Sequence, residues 1–312
     1  MHTIRKRWNV LLGLALMCAV LLAGCGNGNH LTQTNTGSAT ESTAPDAAAT
    51  QTNPSKIVVT YFPYADHLFA LGKGEDLIGV VNLKSLKDFT VYEPFLADGH
   101  VADLGDELDL EKIAALNPDL IIASSADADQ IEQLSKIAKT VTVNATLNWQ
   151  ETIRGVADAI GEKTEAEAYI GKFTAKQTEA AAVVEQSGAK GKTALFVMPW
   201  QKSFTYWSGP RLALYYEKLG FKPFDGLSNV GDITLEGISE LDPEYLFIGK
   251  DYTNTSEITL EQLEKDPVWN SLSAVKNKKM FVVDTEILGP LAMGQFKGLA
   301  YMEQLFQEKK AE

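Results

Sequence analysis

Lys163–Gln186 reads KTEAEAYIGKFTAKQTEAAAVVEQ. It has no proline and one glycine, and Ala, Glu, Lys and Gln dominate it, the residues that lose least on entering a helix. Ala166, Ile170, Phe173, Ala180 and Val184 recur at helical steps and draw one narrow apolar stripe. At ~1.5 Å per residue this is a rod of roughly 36 Å, enough to cross a small domain. Such a helix either lies on the surface of one large domain or joins two. The flanking sequence separates these readings. Residues 109–122 read DLEKIAALNPDLII and residues 234–247 read TLEGISELDPEYLF. At a constant offset of 125 residues, Leu110 matches Leu235, Glu111 matches Glu236, Ile113 matches Ile238, Leu116 matches Leu241 and Pro118 matches Pro243. Two related α/β lobes joined by one long helix are expected.

The rest of the chain fits that plan. The β-branched run 56–61 reads as a strand, 64–71 as a short helix closed by Gly72, and 77–81 as a second strand. An irregular segment with Phe89, Tyr92 and Phe95 follows. The first repeat then supplies a helix (110–116) and a strand (120–123), before a helix over 128–138 and a strand over 141–143. Residues 148–160 and 163–186 read as helices broken near Gly161. The second lobe opens with a strand at 192–198 and a further strand at 204–207. A helix over 210–219 has Pro210 in its first turn and Gly220 after its end. The second repeat, a helix at 260–264, a strand at 280–283 and a final helix near 296–307 complete it. Strands alternating with helices indicate mostly parallel sheets covered on both faces.

At 312 residues, with 45% hydrophobic and 22% charged residues, the chain suffices for two lobes with sizeable cores. Its first 24 residues stand apart. Arg5, Lys6 and Arg7 precede an apolar run over 10–23, short for a membrane span, which ends in Leu22-Ala23-Gly24-Cys25. That ending resembles a lipobox, at which bacterial lipoproteins are cleaved and the new N-terminal cysteine is lipidated; a plain secretory signal is the alternative. Cys18 would leave with the signal and Cys25 would carry lipid, so no internal disulfide could form. Loss of the three basic residues takes the 28 Lys and Arg to 25 against 41 acids, a net charge of −16. Such a body has no basic stripe for nucleic acid. Residues 26–54, built from Gly, Asn, Thr, Ser, Ala and Gln, read as a tether spanning roughly 30 Å as a coil.

Enzyme chemistry finds few parts. There is no G-x-S-x-G, no Walker A loop and no G-x-G-x-x-G. Beyond the signal only His30, His67 and His100 remain, none of them after Met198, which leaves a triad or a His-rich zinc site poorly supplied. No catalytic or metal-ligating residue is expected. Aromatic residues stand out instead. Tyr61, Phe62 and Tyr64 lie where the first strand ends, and Trp200, Phe204, Tyr206 and Trp207 lie at the matching place in the second lobe, just before Arg211. They either face a cleft beyond the strand carboxyl ends or pack in the core.

The lipobox, the small-polar tether, the opening FPYADHLFALG, the duplicated LEKIAALNPDLII and TLEGISELDPEYLF, and the joining helix together resemble the iron-siderophore substrate-binding lipoproteins of ABC importers. The resemblance covers roughly residues 56–309. It implies two Rossmann-like α/β lobes with mostly parallel sheets on one long backbone helix. The implied layout is a signal peptide at 1–24, lipidated Cys25 and tether at 25–55, a first lobe at 56–147, linking helices at 148–187 and a second lobe at 188–312. It implies a monomer held by lipid on the extracytoplasmic face of the cell membrane. There it would capture a ferric siderophore for an ABC permease dimer with a cytoplasmic ATPase, without cofactor or chemistry of its own. By position, Glu111 and Glu236 would dock into arginine-lined permease pockets. An acid in a helix's first turn also complements the dipole, and Thr259-Leu260-Glu261 is such an ordinary start. Arg211, after YWSGP, matches an arginine that touches the ligand in hydroxamate-type members, though Leu212-Ala213 replaces the glycines usual there.

Charge points the same way. A ferric tris-hydroxamate is near neutral, and only Arg154 and Arg211 remain beyond the signal to meet a polyanion. Lys84, Lys87, Lys202, Lys250 and Lys297 keep an anionic siderophore open, beside haem and cobalamin as ligands and a lipid-anchored surface hydrolase as a different class. For the hydroxamate, Tyr61 and Tyr64 are the expected first-lobe walls, Trp200, Tyr206 and Trp207 the second-lobe walls, and Arg211 the main donor.

Overall fold

The computed structural model describes residues 53–146 and 148–311. The signal segment, Cys25 and the tether to residue 52 lie outside the described residues. Strands β1 (Ile57–Val59), β2 (Leu77–Val80), β3 (Ala102–Asp103), β4 (Leu120–Ser124) and β5 (Lys139–Val143) form one sheet in the order β3-β2-β1-β4-β5. Every pairing in it is parallel. A parallel sheet covered on both faces needs apolar side chains in both directions, and β1 and β4 are buried at each position. Strand alternation sends Ile57, Val59 and Ile122 to one core cluster and Val58, Ile121 and Ala123 to the other.

Strands β6 (Ala194–Trp200), β7 (Ser203–Trp207), β8 (Val230–Ile233), β9 (Tyr245–Gly249) and β10 (Met280–Val283) form the second sheet, ordered β10-β9-β6-β7-β8. β6, β9 and β10 pair in parallel, as expected. β7 returns antiparallel to β6 through a tight turn with Gln201 at φ 47°, and β8 adds antiparallel beyond it. The sequence did not signal β8, whose Val-Gly-Asp-Ile lacks an apolar run.

The repeated phrase folds the same way twice. The helix Leu110–Ala115 is capped by Asp109, whose carboxylate accepts the backbone N–H of Glu111 and Lys112 at 3.0 and 3.1 Å. The helix Leu235–Leu241 is capped by Thr234, whose hydroxyl accepts Gly237 N–H at 3.2 Å. A left-handed residue, Asn117 (φ 49°) or Asp242 (φ 41°), and a proline follow each. The next strand then joins the first of its sheet, β4 to β1 and β9 to β6.

The joining helix Lys163–Gln186 follows the helix Trp149–Ile160 across Gly161, which takes φ 80°. Ala166 belongs to a core cluster of the first sheet, and Phe173, Ala180 and Val184 to one of the second. Ile170 is only half-buried. One helix thus enters both cores. The C-terminal helix Ala292–Ala311 packs along it, with Lys176 paired to Glu303 at 2.5 Å. No helix among the described residues is long and apolar enough to cross a membrane.

The stretch 210–219 departs from a regular α-helix. Gly209–Leu212 makes a 3-10 turn and Leu214–Lys218 a π turn. Gly209 sits at φ 58°, and a Cβ there would stand 2.1 Å from Oδ1 of Asn229, so only glycine fits this entry. The wide turn leaves the Tyr215 hydroxyl donating to Ile287 O at 2.6 Å.

Candidate functional site

β1 feeds directly into the helix Pro63–Ala70, whose proline suits a first helical turn. Tyr61, Tyr64 and His67 follow at steps of three and line one cavity of about 510 Å³. Arg211 from the 3-10 turn, Trp149 from the helix before the joining helix, and Pro290 and Leu291 ahead of the C-terminal helix line it too. A second cavity of about 270 Å³ shares Tyr61, Pro63, Arg211, Pro290 and Leu291, and runs on over Phe89, Tyr92, Tyr252 and Glu286. These are two compartments of one cleft between the lobes, at the carboxyl end of β1, where the strand order of the first sheet reverses.

Arg211 belongs to both compartments. Its Nε donates to Leu288 O at 3.0 Å, and its guanidinium lies 4.7 Å from the centre of the Trp207 ring. Burial pushes its pKa down, and the nearby Tyr252 opposes this. It is half-buried and makes no ion pair among the described residues. The other cations named from the sequence are engaged. Arg154 is bidentate with Glu167 at 2.6 and 3.1 Å. Lys84 meets Asp106 at 2.6 Å, Lys87 meets Asp103 at 3.7 Å, and Lys202 meets Glu257 at 3.7 Å. Lys250 meets Asp284 at 2.7 Å, and Lys297 meets Asp284 and Glu286 at 2.5 and 2.8 Å. Burial acts against ionisation of Asp284, but the two lysines hold its pKa down at about 2.

Two buried carboxylates bridge the lobes, Glu286 at the edge of the smaller compartment and Asp66 behind the cleft. Glu286 accepts from the Thr90 hydroxyl at 2.9 Å and Val91 N–H at 3.3 Å. Asp66 accepts from Ala292 N–H and Met293 N–H at 3.0 and 3.1 Å, at the start of the C-terminal helix, and from the Tyr92 hydroxyl at 2.8 Å. Phe89 meets Tyr252 edge-on, with ring centres 5.0 Å apart.

Of the aromatic residues singled out in the sequence, Tyr61 and Tyr64 line the cleft. Tyr64 is also fully buried, its hydroxyl donating to Val143 O at 2.8 Å. The second-lobe group lines neither compartment. Alternation along β7 turns Tyr206 to the opposite sheet face from Trp207, where its hydroxyl pairs with Ser228 at 2.9 Å. Trp207 lies one layer back, as the surface on which Arg211 rests. Trp200 is half-buried at the end of β6, against the same cluster as Trp207. Glu111 and Glu236 are exposed in the first turns of their helices, away from the cleft lining, and neither makes an ion pair among the described residues. The walls Trp149, Phe89 and Tyr252 were not anticipated, since a lone aromatic in a loop or cap carries no periodic signal. His67, weighed in the sequence only for a triad or a zinc site, joins the lining through a three-residue step from Tyr64 that was legible there.

Comparison with known proteins agrees with this geometry. The petrobactin-binding protein YclQ of Bacillus subtilis is 29% identical, across 96% of this chain and 97% of that one. The iron(3+)-hydroxamate-binding protein YxeB of the same organism is 26% identical, across 91% and 92%. In fold, the triscatecholate siderophore binding protein FeuA of Bacillus subtilis, complexed with ferri-bacillibactin, superposes with a TM-score of 0.65 at 23% identity, covering 83% of this chain and 94% of that one. A family model described as periplasmic binding protein matches residues 57–287, from β1 through the loop that carries Glu286, and on that match the chain belongs to the periplasmic binding protein family.

Proposed function

We propose that this protein is an extracytoplasmic receptor that captures a ferric siderophore of the hydroxamate type between its lobes. It delivers that cargo unchanged to an ABC permease dimer driven by a cytoplasmic ATPase. The single observation that carries the ligand reading is Arg211, a half-buried cation with no acid beside it, resting on Trp207 and facing both compartments. A ferric tris-hydroxamate is near neutral and offers oxygen acceptors around an iron whose coordination sites are filled. One planar donor between aromatic walls suits it. A tris-catecholate or citrate complex carries several negative charges and would call on several cations, and the five candidate lysines are paired with acids. The names of the relatives YclQ and YxeB support an iron complex as cargo. Cys25 carries the lipid once residues 1–24 are removed, and the tether 25–55 lets a monomeric body stand off the membrane. Glu111 and Glu236, at equivalent positions of the repeat, dock to the permease.

Tryptophan fluorescence of the full chain, titrated with ferric hydroxamates, ferric catecholates, ferric citrate, haem and cobalamin, tests this. Tightest one-to-one quenching by a ferric hydroxamate is expected. Tightest binding of haem or cobalamin would remove the siderophore, and tightest binding of a catecholate or citrate would remove the hydroxamate.

A further inference from the structure

We infer that His67 offers the larger compartment an unprotonated Nε2, and that the ligand therefore carries an N–H donor on the side that meets the first lobe. This rests on the siderophore reading for the iron-bound core and adds to it the chemistry of the ligand's periphery. His67 is 2% exposed, yet its ring forms part of the lining of the compartment that Arg211 also lines. Neither ring nitrogen has a hydrogen-bond partner among the described residues; Nδ1 is shut off from solvent, whereas Nε2 is not so enclosed. An open ring nitrogen on the cavity side meets water while the site is empty and a polar group of the ligand when it fills.

The neighbouring charge selects the tautomer. Nδ1 lies 3.7 Å from Oδ2 of the fully buried Asp66. Oδ1 of that carboxylate accepts from Tyr92 and Met293, whereas Oδ2 accepts only from Ala292 among the described residues. A lone pair of Oδ2 is thus left beside Nδ1. A proton on Nδ1 is attracted to it, and a lone pair on Nδ1 would be repelled. Burial holds the ring neutral at physiological pH. With its one proton on Nδ1, the imidazole has only an acceptor, Nε2, to give the compartment.

Tyr61, Asn148 and Gln295 in the same lining can donate or accept, whereas Arg211 supplies donors alone and His67 supplies an acceptor alone. Iron-bound hydroxamate oxygens satisfy the arginine and have nothing for the imidazole. Amide N–H groups in the chain or ring that links the hydroxamates do. The ligand class is an amide-bearing hydroxamate.

Long-range ¹H–¹⁵N NMR of the ligand-free full chain should find His67 with Nδ1 protonated and Nε2 bare at pH 7; a proton on Nε2 overturns the assignment. Binding then compares ferrioxamine, which carries amide N–H groups, with ferric tris(N-methylacetohydroxamate), which has none. His67→Leu should weaken the first about 3- to 10-fold and leave the second unchanged. His67→Gln, whose Oε1 still accepts, should keep the first near its original affinity. Equal effects on both complexes overturn the inference. So does an iron charge-transfer band that appears on binding and is lost in His67→Leu, because the imidazole would then be an iron ligand. If the unaltered chain binds neither complex, the hydroxamate reading fails and the ligand half of this inference with it, while the NMR result needs no ligand.

Discussion

A guanidinium half withdrawn from water, with no carboxylate beside it, is held against its own hydration, and Arg211 is so held by Trp207 and Leu288 O. A ligand oxygen restores what it lacks. A charge-assisted hydrogen bond of this kind contributes roughly 1.5–3 kcal/mol, so Arg211→Ala should weaken binding of a ferric hydroxamate about 10- to 150-fold by calorimetry. Arg211→Lys should recover only part, for want of the planar fork, and unchanged affinity in Arg211→Ala would remove the arginine from the site. His67 and Asp66 make a second residue-scale prediction, in stability. Burial lowers the His67 pKa from 6.5 to about 3 and raises that of Asp66 from 3.8 to about 6. The histidine's contribution is whole above pH 6.5 and is lost as pH falls toward 3, because the unfolded chain takes up the proton first. Asp66 acts in the opposite sense, its burial as an anion being relieved between pH 6 and 3.8. His67→Gln removes the first contribution alone. The melting temperature of the variant, relative to the unaltered chain, should rise as pH is lowered from 6.5 to 4; a constant difference would mean that the ring does not titrate this way.

At the scale of elements, the repeat decides what could be read in advance. Leu110–Ala115 with β4 and Leu235–Leu241 with β9 were legible because cap, apolar step and proline recur at one offset. The joining helix was legible from its composition. The cleft was legible only in part. Tyr61 and Tyr64 follow a strand into a helix and so announce their place. Tyr206 and Trp207 are consecutive on a strand and so face opposite ways, but which face each takes, and what covers it, is a tertiary fact. The pairing of the lysines with acids, which tells against a polyanionic ligand, depends likewise on side chains distant in sequence, such as Lys84 with Asp106 and Lys250 with Asp284. The two equivalent helices also carry the proposed docking acids. Glu111→Ala and Glu236→Ala remove exposed charges far from the cleft lining and should shift stability by no more than ~0.5 kcal/mol. Ligand affinity should hold while uptake of the iron complex by cells falls. A matching loss of affinity would place these acids in the binding site instead.

For the whole molecule, the joining helix constrains motion. It is buried in the cores of both lobes through Ala166 on one side and Phe173, Ala180 and Val184 on the other, and Asp66 and Glu286 tie the lobes together. Closure on ligand should therefore be a small adjustment and not a wide hinge, so the radius of gyration from X-ray scattering should change by less than about 1 Å on loading. A change of several ångströms would mean that these ties break. The same rigidity requires the ligand to arrive in a fixed shape, which iron gives to a siderophore and its absence takes away. Calorimetric titration of the full chain with one hydroxamate siderophore, iron-loaded and iron-free, tests this most directly. The account predicts one-to-one binding of the ferric complex, at least tenfold tighter than the iron-free molecule. Equal affinity for the two forms, or no binding of the ferric complex, would contradict it.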